Sequence, residues 1–373
     1  MKAEKSKQKT RIWTAVIFAC VSVVFVAVSL FYSFPSIYQK QTTPEQNSEK
    51  IIKEAIALSL LPAWPSYKGP ELPKDYVKKH LSTLKKPSEL TDDDYKKVKH
   101  IYLNNSSVRD IKLLSRLINL EELDLYNIQV SNIKPLAGLK NLQSLMLYNM
   151  PVSNIEPLAS LTKLKNLTMY SLMVSDLNAL SDLTNLQTLR LLSLYEIGNI
   201  EPLTNLTNLK ELRLDTLRVG DINALSNLTT LQELSLNLNG TEVSDLRPLE
   251  NLKNLQKLYL VGTETSDLRP IENLTNLRTL LLSGTQIRDL GLLSHLINIQ
   301  ELYINNTSVS DFEPLANLVN LEKLDIANMQ VGDIEPILNL RNLQTLNLRN
   351  AKVTEQQVAV LKKAMPKVHI SGP

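Results

Sequence analysis

Leu123-Asp124-Leu125-Tyr126-Asn127-Ile128-Gln129-Val130-Ser131-Asn132-Ile133-Lys134-Pro135-Leu136 is the stretch from which the fold follows. Its opening apolar-x-apolar step returns as Leu145-Met146-Leu147 and Leu167-Thr168-Met169, 22 residues apart each time. The anchors run on through Leu189, Leu212, Leu234, Leu258, Leu280, Leu302, Leu324, Leu346 and Val368, and back to Ile101. These thirteen anchors keep a spacing of 22, apart from one step of 23 (Leu189 to Leu212) and one of 24 (Leu234 to Leu258). A second cassette follows each step. Val130 to Leu136 leads to Leu139-x-Asn141-Leu142, and the pattern returns at Val152, Pro157-Leu158, Leu161 and Leu164, and again from Val309 through Pro314-Leu315 to Asn320-Leu321.

Strand residues alternate faces, so the two leucines of each step point inward and the residues beside them point outward. Burying one such side chain is worth about 1.5–3 kcal/mol. No single turn closes a core alone, so neighbouring turns must stack. The proline of each Pro-Leu pair has a fixed φ and no N–H, which suits the first position of a short helical turn. Period, leucine pattern and cassette together are the signature of leucine-rich repeats. The chain resembles the internalin-type, 22-residue leucine-rich-repeat family over about three quarters of its length. That resemblance implies an α/β fold: a curved solenoid with a parallel β-sheet on its concave face and short 3-10 segments on its convex face. The residue two after the second strand leucine is Asn at Asn105, Asn127, Asn149, Asn306, Asn328 and Asn350. In the middle it is Ser171, Ser193, Thr216, Gly262 and Gly284. An Asn side chain satisfies backbone groups of adjacent turns and Gly does not, so the central third is expected to be looser or differently curved.

Outside the repeats the sequence divides by composition. Residues 1–11 carry Lys2, Lys5, Lys7, Lys9 and Arg11 against Glu4, a local charge of +4 out of a total of +3, which leaves −1 for the rest. A chain so nearly neutral beyond its first residues shows no basic face for nucleic acid, and no nucleic-acid partner is expected. Ile12 to Tyr32 is a run of 21 residues without a charge. At about 1.5 Å per residue it spans about 30 Å, the thickness of a hydrocarbon core. Residues 12–34 are therefore read as a transmembrane signal-anchor, with the basic tail cytoplasmic and the repeats periplasmic or extracellular. Cleavage as a signal peptide at Ala27-Val28-Ser29 is the alternative. Cys20, inside this run, is the sole cysteine, so no disulfide framework exists.

Residues 35–43 read as a tether and 44–99 as an N-terminal helical cap, which a solenoid needs to cover its first turn. Thr43-Pro44-Glu45-Gln46 is a capping box, opening a helix with Ile51, Ile52, Ala55 and Ile56 on one face. Ala63 to Pro73 reads as an extended connector and about 74–84 as a second helix. A third helix starts after Thr91, ahead of Asp92, Asp93 and Asp94. That acidic run suits the positive end of a helix dipole and lacks the spacing of a Ca²⁺ loop, so no metal is expected there. The repeats fill 100–353. Residues 354–373 read as a C-terminal cap, with Thr354-Glu355-Gln356-Gln357 opening a helix through Lys363 and Lys367-Val368-His369-Ile370 supplying a last strand.

Catalytic signals are absent from the sequence. His80, His100, His295 and His369 are scattered, and no nucleophile elbow, phosphate-cradling loop or His-Glu-x-x-His motif occurs. No catalytic residue and no cofactor is predicted. Asp or Asn recurs at 110, 132, 154, 176, 199, 221, 245, 267, 289, 311 and 333, each just before a large apolar residue. A periodic acid invites a metal ladder, but a short polar side chain at that place satisfies local backbone N–H groups, and the structural reading is adopted.

The informative surface is the outward side of the strands, where Asp124/Tyr126, Met146/Tyr148 and Thr168/Tyr170 stand on successive strands. Parallel strands lie ~4.8 Å apart, so the three tyrosines are expected to form a ridge. Tyr259, Val261, Leu281 and Tyr303 make a second apolar group, with Arg190 and Arg213 between the two. The candidate binding residues for a protein partner are thus Tyr126, Met146, Tyr148, Tyr170, Arg190, Arg213, Tyr259, Leu281 and Tyr303. Tyr and Met are enriched at interface cores; the competing reading is aromatic packing across strands for stability alone. The expectation is a membrane-anchored, exported repeat protein that binds another protein, with adhesion or surface recognition implied by the resemblance. The alternative is an intracellular scaffold like the phosphatase-regulating proteins with similar repeats.

Overall fold

A computed structural model describes residues 43–60, 85–104, 106–237, 241 and 243–372. The basic tail, the apolar run 12–34 with Cys20, most of the tether, the connector, the second cap helix and Asn105 lie outside the described residues. The chain divides into two compact units, residues 1–161 and 162–373.

Among the described residues no helix is long and apolar enough to cross a membrane. The longest, α1 (Pro44–Ser59), has 16 residues and carries Glu45, Glu49, Lys50, Lys53 and Glu54, whereas a span needs about 20 predominantly apolar ones. The fold class is accordingly corrected to a parallel-sheet leucine-rich-repeat fold with an N-terminal helix; no transmembrane helix is among the described residues, and the apolar run 12–34 lies outside them.

In the first unit, α1 starts at a capping box: Thr43 Oγ1 accepts from the Gln46 N–H at 3.3 Å, and Gln46 Oε1 accepts from the Thr43 N–H at 3.1 Å. Its buried face is Ser48, Ile51, Ile52, Ile56 and Ala57, so Ala57 takes the place expected of Ala55. A second capping box, from Thr91 and Asp94, opens α2 (Asp92–Lys97). Asp94 is 3% exposed. Its carboxylate accepts from Lys85 Nζ at 2.7 and 2.8 Å, from the Thr91 N–H at 2.9 Å and from the Thr91 hydroxyl at 2.8 Å. The Lys85 bonds first, then those from Thr91, hold this carboxyl well below the usual carboxylate range against the opposing effect of burial. Arg116 ties α2 to the first turn, its guanidinium 3.9 Å from the centre of the Tyr95 ring and ion-paired with Asp92.

Strands β1 (His100–Asn104), β2 (Glu122–Tyr126) and β3 (Ser144–Tyr148) then pair in parallel, with Leu103, Leu125 and Leu147 in one register. The second unit carries β4 (Asn166–Tyr170), β5 (Thr188–Leu192), β6 (Glu211–Asp215), β7 (Glu233–Asn237) and β8 (Lys257–Val261). It continues through β9 (Thr279–Leu281), β10 (Glu301–Tyr303), β11 (Lys323–Asp325), β12 (Thr345–Asn347) and β13 (His369–Ser371), all parallel. Most turns return through a 3-10 segment, and in Lys134–Gly138 and Glu313–Asn317 proline stands in the first turn. The strand leucines and the apolar residues of these segments are almost all fully buried.

Two devices hold the turns to a common shape. Wherever the residues after a strand are described, the chain passes through a left-handed residue: φ is 51° at Asn127 and Asn149, 50° at Ser171, 59° at Thr216, 63° at Gly262 and 70° at Gly284. Asn and Gly tolerate this conformation best. In the central third Gly262 and Gly284 supply the same left-handed turn that Asn supplies elsewhere, and β5 to β8 keep unbroken register. Where Asn is present it adds a side-chain ladder, Asn127 Nδ2 donating to Asn104 Oδ1 at 3.1 Å and Asn149 Nδ2 to Asn127 Oδ1 at 2.9 Å. The second device is the periodic Asp/Asn on the opposite side. All eleven accept the backbone N–H two residues onward, at 2.7–3.0 Å. They cap the 3-10 segments, and among the described residues no cluster of metal-ligating side chains occurs.

The irregular spacings resolve locally. The step of 23 places its extra residue between the buried Leu194 and Ile197, which pushes Tyr195 out to 55% exposure. The step of 24 leaves Leu234 opposite Leu258, so its extra residues fall in the connection between the strands. At the end, Ile370 and not Val368 stands opposite Leu346, a register two residues later than the sequence period suggested. The cause is α4 (Glu355–Ala364), which replaces the 3-10 return and is capped by Thr354 and Gln357. The preceding return is also helical, as α3 (Glu335–Leu338).

Candidate binding surface

Alternation along each strand sends every second side chain to the open face of the sheet, and parallel register lines these up in columns. In the first unit the column between the buried leucines is Tyr102, Asp124, Met146, and the next column toward the strand ends is Asn104, Tyr126, Tyr148. All six side chains are partly exposed. The rings of Tyr102 and Tyr126 lie 5.0 Å apart at 39°, and those of Tyr126 and Tyr148 lie 5.4 Å apart at 34°. The Tyr126 hydroxyl donates to Met146 Sδ at 2.6 Å. Three of the predicted residues, Tyr126, Met146 and Tyr148, are thus one aromatic and thioether patch. Tyr102 belongs to the same patch and was missed, although His100-Ile101-Tyr102-Leu103 carries the same strand alternation as the later repeats.

Charge surrounds this patch. Lys99 Nζ pairs with Glu121 at 2.6 Å, and His100 Nδ1 lies 3.0 Å from Glu122. Asp124, between Tyr102 and Met146 in its column, has no such partner. Burial, reinforced by the nearby charge of Glu122, pushes its carboxyl up to about 6.

In the second unit Tyr170 stands opposite Leu192 of β5, and Arg190 opposite Arg213. Two like charges in register are held by acids one step earlier on the strands. Arg190 binds Glu211 with two bonds of 2.7 and 2.8 Å. Arg213 Nη2 donates to Glu233 at 2.6 Å, and Lys257 Nζ donates to the same carboxylate at 3.1 Å. Arg213 Nε approaches Glu211 to 3.0 Å without the alignment of a hydrogen bond. Burial would raise Glu233, but its bonds from Arg213 and Lys257 outweigh it and leave the carboxyl below its ordinary range. The two arginines are therefore members of a ladder of five charges across β5 to β8. The sequence reading placed them between the two apolar groups without naming their acids; the matching signal was Glu211 and Glu233, each one residue before its anchor leucine.

Tyr259, Leu281 and Tyr303 stand side by side on β8, β9 and β10, forming the second group as expected. Tyr303 donates to Glu301 at 3.1 Å; burial and that neighbouring charge push its hydroxyl up to about 12. Met173 and Tyr195, 65% and 55% exposed, are apolar positions of the same unit that strand alternation does not reveal. A polar trough of about 470 Å³ lies elsewhere, lined by amides that include Asn254, Gln256, Asn276 and Gln300. Its Asn254 and Asn276 side chains donate to carbonyls of the preceding turns at 2.8 Å, so this wall is part of the scaffold.

The fold and the columns are those of a leucine-rich-repeat solenoid, and the comparisons with known proteins point the same way. The family described as Leucine Rich repeats (2 copies) matches residues 275–317 and 319–358. An internalin of Listeria monocytogenes superposes with a TM-score of 0.72 at 24% identity, over 89% of this chain and 94% of that one. A leucine-rich-repeat protein of Leptospira interrogans gives 0.64 at 21% identity, over 91% and 100%. A plant peptide hormone receptor solved in complex with RGF2 gives 0.55 at 20% identity, over 74% of this chain and 52% of that one. No curated protein matches the sequence.

Proposed function

We propose that the protein binds another protein through the open face of its sheet, and that the tyrosine-rich patch of the first unit is the centre of contact. One observation carries the reading. Tyr102, Tyr126 and Tyr148 form a run of tilted ring pairs, each side chain partly exposed, with Met146 beside them. Amphipathic rings of low conformational freedom are the side chains that dominate interface energetics. A plant peptide hormone receptor in complex with RGF2, among the structural relatives, supports the same use of this architecture. Adhesion or surface recognition is the setting proposed. Export of the repeats is part of it, resting on the basic-then-apolar order of the first 32 residues and tested by protease accessibility on intact cells.

The binding test changes Tyr102, Tyr126 and Tyr148 together to Ser and compares capture of partners by the two forms of the full chain. Loss of a specific partner with little change in the unfolding midpoint supports binding. A large loss of stability with partner capture retained assigns the tyrosines to packing.

A further inference from the structure

The open face of the first unit contains a carboxylate that no described residue matches. Glu121 has Lys99 and Glu122 has His100, each in contact across adjacent turns. Asp124 has neither: no hydrogen bond or ion pair joins its side chain to another described residue, and its only charged influence is the repulsive one of Glu122. It is also partly withdrawn from water, held in the column between Tyr102 of β1 and Met146 of β3, with Tyr126 on its own strand. The titratable groups facing it are His100 and Tyr102 from β1, Glu122 and Tyr126 from β2, and Tyr148 from β3. None of them supplies a free positive charge.

We infer that Asp124, with the faces of Tyr102 and Tyr126, is a seat for a cationic side chain of the protein partner, an arginine guanidinium or a lysine ammonium. The inference rests on the binding reading above and gives it a chemistry. A desolvated carboxylate gains most from a partner that brings both opposite charge and hydrogen-bond donors. Tyrosine faces attract the same group through their quadrupoles, arginine more often than lysine. An apolar guest would cover the rings but leave the carboxylate buried and unpaired, which is costly. The patch therefore discriminates by charge, while its rings supply contact area.

The test uses the full chain labelled with ring-¹³C tyrosine, with Tyr102, Tyr126 and Tyr148 assigned by single Tyr→Phe changes. The probes are N-acetyl-arginine amide and its neutral isostere N-acetyl-citrulline amide, titrated at pH 7 and pH 5. The expected result is a saturable shift of those three tyrosines with the arginine probe at pH 7, at about tenfold lower concentration than with citrulline, a difference of about 1.4 kcal/mol. The preference should shrink at pH 5, where Asp124 takes up a proton, and vanish in Asp124→Asn. Equal responses to the two probes, a preference that survives Asp124→Asn, or no saturable shift would each overturn the inference. If charge preference fails while the triple tyrosine variant still loses its partner, the binding reading stands and the cationic seat alone falls. If both fail, the face is not an interface.

Discussion

Ser48 of the N-terminal helix accepts the backbone N–H of Arg109 at 2.8 Å, a contact that joins residues 61 apart in sequence. The same oxygen accepts the Asp110 N–H at 3.3 Å and donates to the Pro44 carbonyl at 2.8 Å. One buried hydroxyl thus fixes the cap to the first convex turn. Ser48→Ala leaves two N–H groups without their acceptor and should destabilise the chain by about 1–2 kcal/mol, read as a lower urea midpoint with unchanged slope. An unchanged midpoint would mean that water replaces the hydroxyl.

Asp94 should make the cap acid-sensitive. Its carboxyl titrates below the ordinary value of 3.8 in the folded chain, so the folded state binds a proton less readily than the unfolded one. The stabilisation is then full above the unfolded value and is lost as pH falls through and below it. Asp94→Asn is expected to cost about 1–3 kcal/mol at pH 7, since it removes the charge that a half-exposed Lys85 and the Thr91 donors bind. The gap between the two proteins should close on acidification.

Asp124 should behave with the opposite sign. Its folded carboxyl is raised from 3.8 to about 6, so the folded state prefers the protonated form. That preference stabilises the fold below the unfolded value and is lost as pH rises through the folded one. Asp124→Asn should therefore gain about 1–2 kcal/mol at pH 8, after allowance for solvent screening, and show no gain near pH 3. Parallel denaturation series across pH decide it; a loss at pH 8 would show a favourable partner for the charge.

Gly284 isolates the backbone requirement of the turn. Its φ is 70°, and a Cβ there would meet nothing within 4 Å. Gly284→Asn should change stability by only a few tenths of a kcal/mol, while Gly284→Val should cost about 1–2 kcal/mol from the left-handed conformation alone. Equal effects in thermal unfolding would mean that side-chain bulk, and not φ, sets the choice.

The strands, the caps and the eleven Asp/Asn turns were legible in the sequence because each is a local rule repeated at a fixed interval. Thr43, Thr91 and Thr354 start their helices where the capping pattern put them. The left-handed turn was visible as an Asn or Gly position but was read for its side chain, when the dihedral was the cause. The last register slipped because a helix replaced a shorter return and moved the strand from Val368 to Ile370. At the surface, alternation placed Tyr126, Met146, Tyr148, Tyr259, Leu281 and Tyr303 on the open face. The partners of Arg190 and Arg213 were overlooked because they sit one step before the anchor, on the same face and one strand away. A search along columns as well as along strands would have found Glu211, Glu233 and Tyr102.

The bonds between turns are nearly all made to the same position one period away: Asn141 to the carbonyl of Ile118, Asn276 to that of Lys253, Asn320 to that of Ile297. Such wiring is indifferent to how many copies exist, provided each arrives whole. Duplication or loss of one full copy in the coding DNA leaves every remaining link with a mate, whereas a change that is not a multiple of the period strands them on both sides of the scar. Length is therefore a trait this architecture can vary in quantised steps, carrying its display columns along unchanged.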